Sequence, residues 1–239
     1  MANNYFQFKQ FTIFQDQCAM KVSTDAAVLG ALASQDQPEN ILDIGTGTGV
    51  IALMMAQRFE KAQIKALEID SKAFTQASEN IAQSPWADQV KIEKGSFQNF
   101  SKSCSEKFDL IVSNPPYYTN HNKSKDKQRN LALHNDELPF GDLIKGVLKL
   151  LEPNKGKFWV ILPPNQMKEL EKIANFFELY SNAFYELRDR PSTKVLRQIK
   201  SFSFSKLTIP EPTSICIKDE DFSYSQAYKH LLKDFLTIF

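Results

Sequence analysis

Four consecutive residues, Asn114-Pro115-Pro116-Tyr117, follow directly on the apolar run FDLIVS at residues 108 to 113. Proline has no N–H and a fixed φ, so Pro115 and Pro116 stiffen a turn while leaving carbonyl acceptors exposed. The side-chain oxygen of Asn114 and the carbonyl of Pro115 can together accept both hydrogens of a primary amine. Such contacts aim the nitrogen lone pair at a methyl donor and stabilise the positive charge that develops as the N–C bond forms. With a sulfonium as leaving group, no strong base or metal is required, and the amine proton can leave after transfer. Tyr117 supplies a flat face on which an extruded base could stack. These residues are therefore the candidate catalytic set.

A second motif lies upstream. Asp43-Ile44-Gly45-Thr46-Gly47-Thr48-Gly49 follows the short apolar run ILDI and precedes the helical pattern VIALMMAQRF. Glycines between a strand and a helix let the backbone approach a ligand without Cβ clashes. Dinucleotide enzymes use related turns, so the motif alone leaves the cofactor open. Glu68 closes the next apolar run, IKALEI, where its carboxylate can accept from two ribose hydroxyls; Ile69 follows it. Asp70 reads as a helix cap. Ser96 and Phe97 follow the third strand at the same edge and could flank an adenine ring, because open parallel sheets bind ligands outside the carboxyl ends of their strands.

These motifs need a scaffold. From residue 41 onward strands alternate with helices of ten or more residues, which predicts a parallel sheet covered on both faces. FELYSNAFYEL and VLRQIKSFSF, joined by RDRPSTK, read as a hairpin ending that sheet, and YSQAYKHLLKDFLTIF reads as a terminal helix. The expected architecture is α/β: a Rossmann-like, mostly parallel seven-stranded sheet with an antiparallel last strand, spanning residues 39–239. Residues 1–38 form an N-terminal extension. There FQFKQFTIF alternates as a half-buried strand or hairpin arm, and Ser23, Thr24 and Asp25 offer caps to a helix over AAVLGALAS. The polar segment 117–137 reads as a mobile loop beside the catalytic turn.

The composition is that of a folded domain of 239 residues with 12% aromatics, and the formal charge of +1 gives no general affinity for polyanions. Nucleic-acid contact must come from local clusters. Lys123, Lys125, Lys127 and Arg129 form one; Arg188, Arg190, Lys194, Arg197 and Lys200, in the hairpin near 178–206, form another. Cys18, Cys104 and Cys216 lack metal or disulfide spacing and read as reduced thiols, and His121, His134 and His230 read as surface residues. No metal and no obligate protein partner are expected. MANNYFQFKQ has neither the basic nor the apolar region of a secretion signal, and no segment approaches a membrane span, so the expected location is the cytoplasm.

The segments FKQFTIFQDQCAMKVSTDAAVLGAL, LDIGTGTGVIALMMAQR, ENIAQSPWADQV and SNPPYY resemble class I amino-methyltransferases. They are most similar to the bacterial enzymes that modify N6 of adenine 37 in valine tRNA. The resemblance implies S-adenosyl-L-methionine as cofactor and tRNA as substrate. It assigns the methionine and ribose portions to Asp43, Gly45, Gly47, Gly49 and Glu68, and the adenine amine to Asn114 through Tyr117. It also implicates Lys21, Thr24 and Asp25 in a segment closing over the cofactor. One departure is visible: Gly95-Ser96-Phe97 stands where the superfamily often has Asp, so Ser96 or backbone atoms would substitute. Glutamine-amide methylation of a release factor, guanine-N2 or adenine-N6 methylation of ribosomal RNA, and a catalytically silent nucleic-acid-binding protein remain alternatives.

Overall fold

The computed structural model describes residues 3–18, 20–34, 36–116, 138–207 and 211–239. Two strands, β1 (Tyr5–Gln7) and β2 (Thr12–Phe14), pair as an antiparallel hairpin outside the main sheet. The run at 6–14 is therefore two short strands, not one. Its alternation breaks because Phe8 and Phe11 both turn inward, stacked at 4.4 Å, with the Phe8 N–H donating to the Phe11 carbonyl.

Helix α1 (Thr24–Leu32) is capped by Ser23, whose Oγ accepts from the Ala26 N–H at 3.2 Å. The alternating part follows as β3 (Asn40–Ile44), α2 (Val50–Arg58), β4 (Gln63–Glu68), α3 (Ser71–Ala82), β5 (Val90–Lys94), α4 (Phe97–Ser103) and β6 (Leu110–Ser113). Beyond the undescribed segment come α5 (Phe140–Leu150), β7 (Lys157–Leu162), α6 (Pro164–Phe176), β8 (Tyr180–Arg188), β9 (Val195–Ser203), β10 (Thr213–Cys216) and α7 (Gln226–Leu232). The sheet order is β10-β8-β9-β7-β6-β3-β4-β5, parallel throughout except for β9, which runs antiparallel to both neighbours.

The α/β class, the parallel core and the antiparallel hairpin strand are as expected, but the sheet has eight strands. The additional β10 is four residues long, half exposed and at the sheet edge, too short to leave a periodic signature. The terminal helix is also shorter than its sequence pattern. It stops at Leu232 because the chain turns to dock: the Phe235 carbonyl accepts from the Lys9 N–H at 2.8 Å, and Leu236 bridges to Phe8.

Strand β6 is wholly buried and β3 is buried from Ile41 onward, as strands covered on both faces must be. One apolar cluster unites the N-terminal hairpin, α1, α2 and α7; the other packs α4, α5 and α6 on the opposite face. Because β3, β4, β5 and β6 run in parallel, the glycine turn, Glu68, Ser96 and Asn114 all emerge at one edge of the sheet.

Candidate active site

A cleft of about 290 Å³ opens at that edge, and both motifs face it. Gly45, Gly47, Glu68, Ile69, Ser96, Phe97, Asn114, Pro115 and Pro116 line it. Tyr117 and the cations Lys123, Lys125, Lys127 and Arg129 lie outside the described residues, as does the rest of the expected loop 117–137.

The glycine turn is held by its neighbours. The N–H groups of Gly45 and Thr46 donate to the Leu67 carbonyl at 3.0 and 2.9 Å, which ties the end of β3 to the end of β4. Gly45 and Gly47 have φ of +72° and +58°, and a Cβ at either would meet no atom within 4 Å. Since both glycines line the cleft, that open space is where a ligand would sit against bare backbone. Gly49 serves differently: it caps α2 at φ +84°, and a Cβ there would stand 3.6 Å from Ala77 of α3.

Glu68 is buried, and its two oxygens each accept one backbone N–H, from Gly47 and from Asp70, both at 2.8 Å. The carboxylate is thereby oriented while keeping lone pairs for hydroxyl donors. Asp43 lies fully buried beneath the turn. Its Oδ2 accepts from the Thr46 hydroxyl at 2.6 Å, and the backbone N–H of Ala52 in α2 also faces the carboxylate. Burial pushes its carboxyl up to about 7, against the Thr46 hydrogen bond that favours the charged form. Two glycines with open space above them and an oriented carboxylate fit a cofactor carrying an amino acid and a ribose, whereas Asp43 and Thr46, expected at the cofactor, do not line the cleft and brace the turn from below.

On the catalytic side, the Ser113 hydroxyl donates to the Ile44 carbonyl at 3.1 Å, fixing the end of β6 against the end of β3. The Asn114 turn is thus referenced directly to the glycine turn. Asn114 is half-buried, Pro115 buried and Pro116 exposed. Ser96 caps α4 by accepting from the Asn99 N–H at 3.2 Å, and Asp70 caps α3 by accepting from Lys72 and Ala73. Phe97 forms apolar floor beneath Ser96. Its ring occupies the space over Gly146 of α5, where a Cβ would approach to 2.3 Å.

Lys21, Thr24 and Asp25 do not line the cleft. Lys21 Nζ donates to the Asn3 carbonyl at 3.0 Å, Thr24 hydrogen-bonds Tyr228, and Asp25 pairs with Arg197 at 2.6 Å. The first turn of α1 faces β9 and α7, and the preceding residues reach the cleft instead, through Cys18 and Met20. Sequence reasoning missed both; two residues of an irregular strap carry no periodic signal. Burial, followed by Glu68, Asp70 and Asp16, raises the Cys18 thiol to about 11, so it stays protonated and is no nucleophile.

Two buried amides hold that strap. Asn80 accepts from the Phe14 N–H and donates to the carbonyls of Phe14 and Thr48, all at 2.9 Å, and Gln76 accepts from the Gln17 N–H at 3.1 Å. Asn80 therefore joins the N-terminal segment to the cofactor turn. Its place in the ENIAQ helix pattern gave no sign of this.

The expected basic hairpin needs correction. Lys200 is only 5% exposed, paired with Glu171 at 2.6 Å and seated over the Phe184 ring, so it offers no charge to a surface ligand. Arg197 is committed to Asp25, and Arg188 to Glu186 and the Thr193 carbonyl. Arg190 pairs with Asp189 and lies over Phe222. Glu220 accepts from the Ser192 N–H and hydroxyl, bringing the acidic turn Asp219-Glu220-Asp221 against the hairpin tip. Lys194 remains exposed. Among the described residues there is no group of His, Cys, Asp and Glu that could hold a metal, and no helix long and apolar enough to cross a membrane.

The family described as Methyltransferase small domain matches residues 18–178. The chain is 41% identical over 242 residues to a protein of Bacteroides thetaiotaomicron named tRNA1(Val) (adenine(37)-N6)-methyltransferase, covering 98% of each chain. A protein of the same name from Bacteroides fragilis is 43% identical over 236 residues, again covering 98% of each. Among solved structures, one described as a predicted O-methyltransferase from Agrobacterium tumefaciens superposes with a TM-score of 0.67 at 15% identity, over 88% of this chain and 96% of that one. The fold is that of a class I methyltransferase. The chain belongs to the methyltransferase small-domain family, and its relatives at about 40% identity carry the name tRNA1(Val) (adenine(37)-N6)-methyltransferase.

Proposed function

We propose that the protein transfers a methyl group from S-adenosyl-L-methionine to the exocyclic N6 of an adenine in tRNA, adenine 37 of valine tRNA, in the cytoplasm. The observation that carries this reading is the opening of Asn114-Pro115-Pro116 onto the same cleft as Gly45, Gly47 and Glu68. The names of the relatives support the choice of RNA and position.

Gly45 and Gly47 would pass backbone along the methionine portion, and Glu68 would accept from the ribose hydroxyls. Ile69, Phe97 and Met20 would border the adenine, with the Ser96 backbone or hydroxyl in place of the missing carboxylate. The cofactor, when bound, supplies a methyl group on a positively charged sulfur. The protein's own part is positional. The Asn114 side-chain oxygen and the Pro115 carbonyl accept the two amine hydrogens, hold the lone pair toward the cofactor side of the cleft, and stabilise the charge gained by the nitrogen. The amine then loses its proton to water. Tyr117, following Pro116 in the chain, would stack on the extruded base, and Lys123, Lys125, Lys127 and Arg129 would meet phosphates. From the hairpin, Arg188, Arg190 and Lys194 remain candidates for weaker phosphate contacts.

The test is methyl transfer from radiolabelled S-adenosylmethionine to total RNA and, separately, to release factors, followed by nucleoside or peptide mass spectrometry. The expected product is N6-methyladenosine in valine tRNA. Label confined to a glutamine amide would overturn the substrate.

A further inference from the structure

We infer that the outward face of the β1–β2 hairpin is a stacking surface for unpaired bases of the substrate RNA. This rests on the proposed tRNA substrate and adds a recognition surface outside the cleft.

Strands alternate their side chains, so the Tyr5–Phe14 and Gln7–Thr12 cross-strand pairs share one face, opposite the buried Ile13. Tyr5 is 52% exposed and Phe14 38%, with ring centroids 6.4 Å apart. Two neighbouring aromatic rings left in water have no role in the core, which the same hairpin serves through Phe8, Phe11 and Ile13. Beside them Gln7 braces the hairpin: its amide nitrogen donates to the Phe8 and Phe11 carbonyls at 2.7 and 3.3 Å, and its oxygen accepts from the Thr12 hydroxyl at 2.7 Å. Two neighbouring aromatic rings on a braced strand pair supply faces on which unpaired bases can stack.

Charge favours RNA as the occupant. From Asn3 to Lys21 there are two lysines, Lys9 and Lys21, and one carboxylate, Asp16. Lys9 Nζ donates to the Lys233 carbonyl and Lys21 Nζ to the Asn3 carbonyl; neither ammonium is neutralised by an acid among the described residues. Both remain able to meet phosphate, in contrast to the compensated cations of the β8–β9 hairpin.

The surface is also continuous with the cleft. Lys21 follows Met20 of the cleft wall and touches Asn3, two residues from Tyr5, while the Gln15 N–H donates to the Asn4 carbonyl at 2.8 Å. Asn80 holds both backbone groups of Phe14, so the ring is carried on a fixed support and little ordering remains to be done on binding.

The experiment compares the wild-type protein with Tyr5→Ala/Phe14→Ala and Tyr5→Leu/Phe14→Leu, using a valine tRNA transcript and S-adenosylmethionine. Stacking on aromatic rings predicts that both double variants raise KM for tRNA about 5- to 100-fold, with KM for S-adenosylmethionine within about twofold. The leucine pair keeps apolar bulk without a π face and guards against loss of folding in the alanine pair. Tyr5→Phe should behave as wild type. A tRNA KM within twofold of wild type in the leucine pair, while wild type methylates tRNA normally, overturns the stacking surface alone. Absence of any tRNA methylation or binding by wild type overturns the proposed substrate, and this surface with it.

Discussion

The cleft and the β8–β9 hairpin treat charged and polar groups in opposite ways. In the cleft, short hydrogen bonds orient groups while leaving capacity unused: Glu68 takes one N–H on each oxygen and keeps further lone pairs, and Gly45 and Gly47 leave open space above bare backbone. In the hairpin the cations other than Lys194 are engaged by partners, with Lys200 on Glu171, Arg197 on Asp25, Arg188 on Glu186 and Arg190 on Asp189. The difference teaches that a functional group is recognised by the bonding capacity that remains after folding. Residue type alone does not reveal it.

The contrast can be broken most severely at the catalytic turn. Asn114→Ala removes an acceptor for the amine but no part of the glycine turn, so kcat should fall about 100-fold or more. Cofactor affinity, followed by calorimetry, should change less than threefold; equal losses in both would place Asn114 in the cofactor site instead. Gly47→Val adds a branched side chain where φ is +58° and the cleft is open, and on the proposed cofactor placement should raise the cofactor Kd by at least about tenfold. Titration with S-adenosylmethionine checks it, and an unchanged Kd would move the ligand elsewhere.

Asn80→Ala should act at intermediate strength by releasing the strap that carries Cys18 and Met20. We expect KM for S-adenosylmethionine to rise about 3- to 10-fold with kcat nearly preserved, on the scale of one to a few lost hydrogen bonds at about 1 kcal/mol each. A fall in kcat at constant KM, matching a smaller folded fraction, would reduce Asn80 to a scaffold residue.

Asp43 gives a pH-dependent effect. Its folded-state carboxyl titrates near 7 and its ordinary value is 3.8, so the native state holds a proton that the unfolded chain releases. Stability from this group is full below about pH 4 and is lost as pH rises toward 7, by on the order of a few kcal/mol. Asp43→Asn without cofactor should therefore show a flatter Tm between pH 4 and 7 than wild type in thermal scans. The smallest effect belongs to the hairpin: Arg188→Ala and Arg190→Ala should each change KM for tRNA less than about threefold, because their charges are already balanced. A tenfold rise would show that RNA displaces their present partners.

The sequence by itself determined what depends on short-range chemistry. Asn-Pro-Pro restricts its own backbone, the glycines adopt positive φ values that cost other residues strain, and the apolar runs at 41–44 and 110–113 fit a sheet covered on both faces. Ser23 and Asp70 were legible as caps for the same reason, since a cap bonds only two or three residues away. Tertiary structure alone decided what depends on distant partners: that Asp25 faces Arg197 across 172 positions, that Lys200 is buried, and that Asn80 holds Phe14. It also decided that Cys18 and Met20 form part of the cleft wall. The physical reason is that a local motif carries its constraint within its own dihedrals and hydrogen bonds. The exposure and net charge of a side chain are instead set by whichever element the fold brings against it.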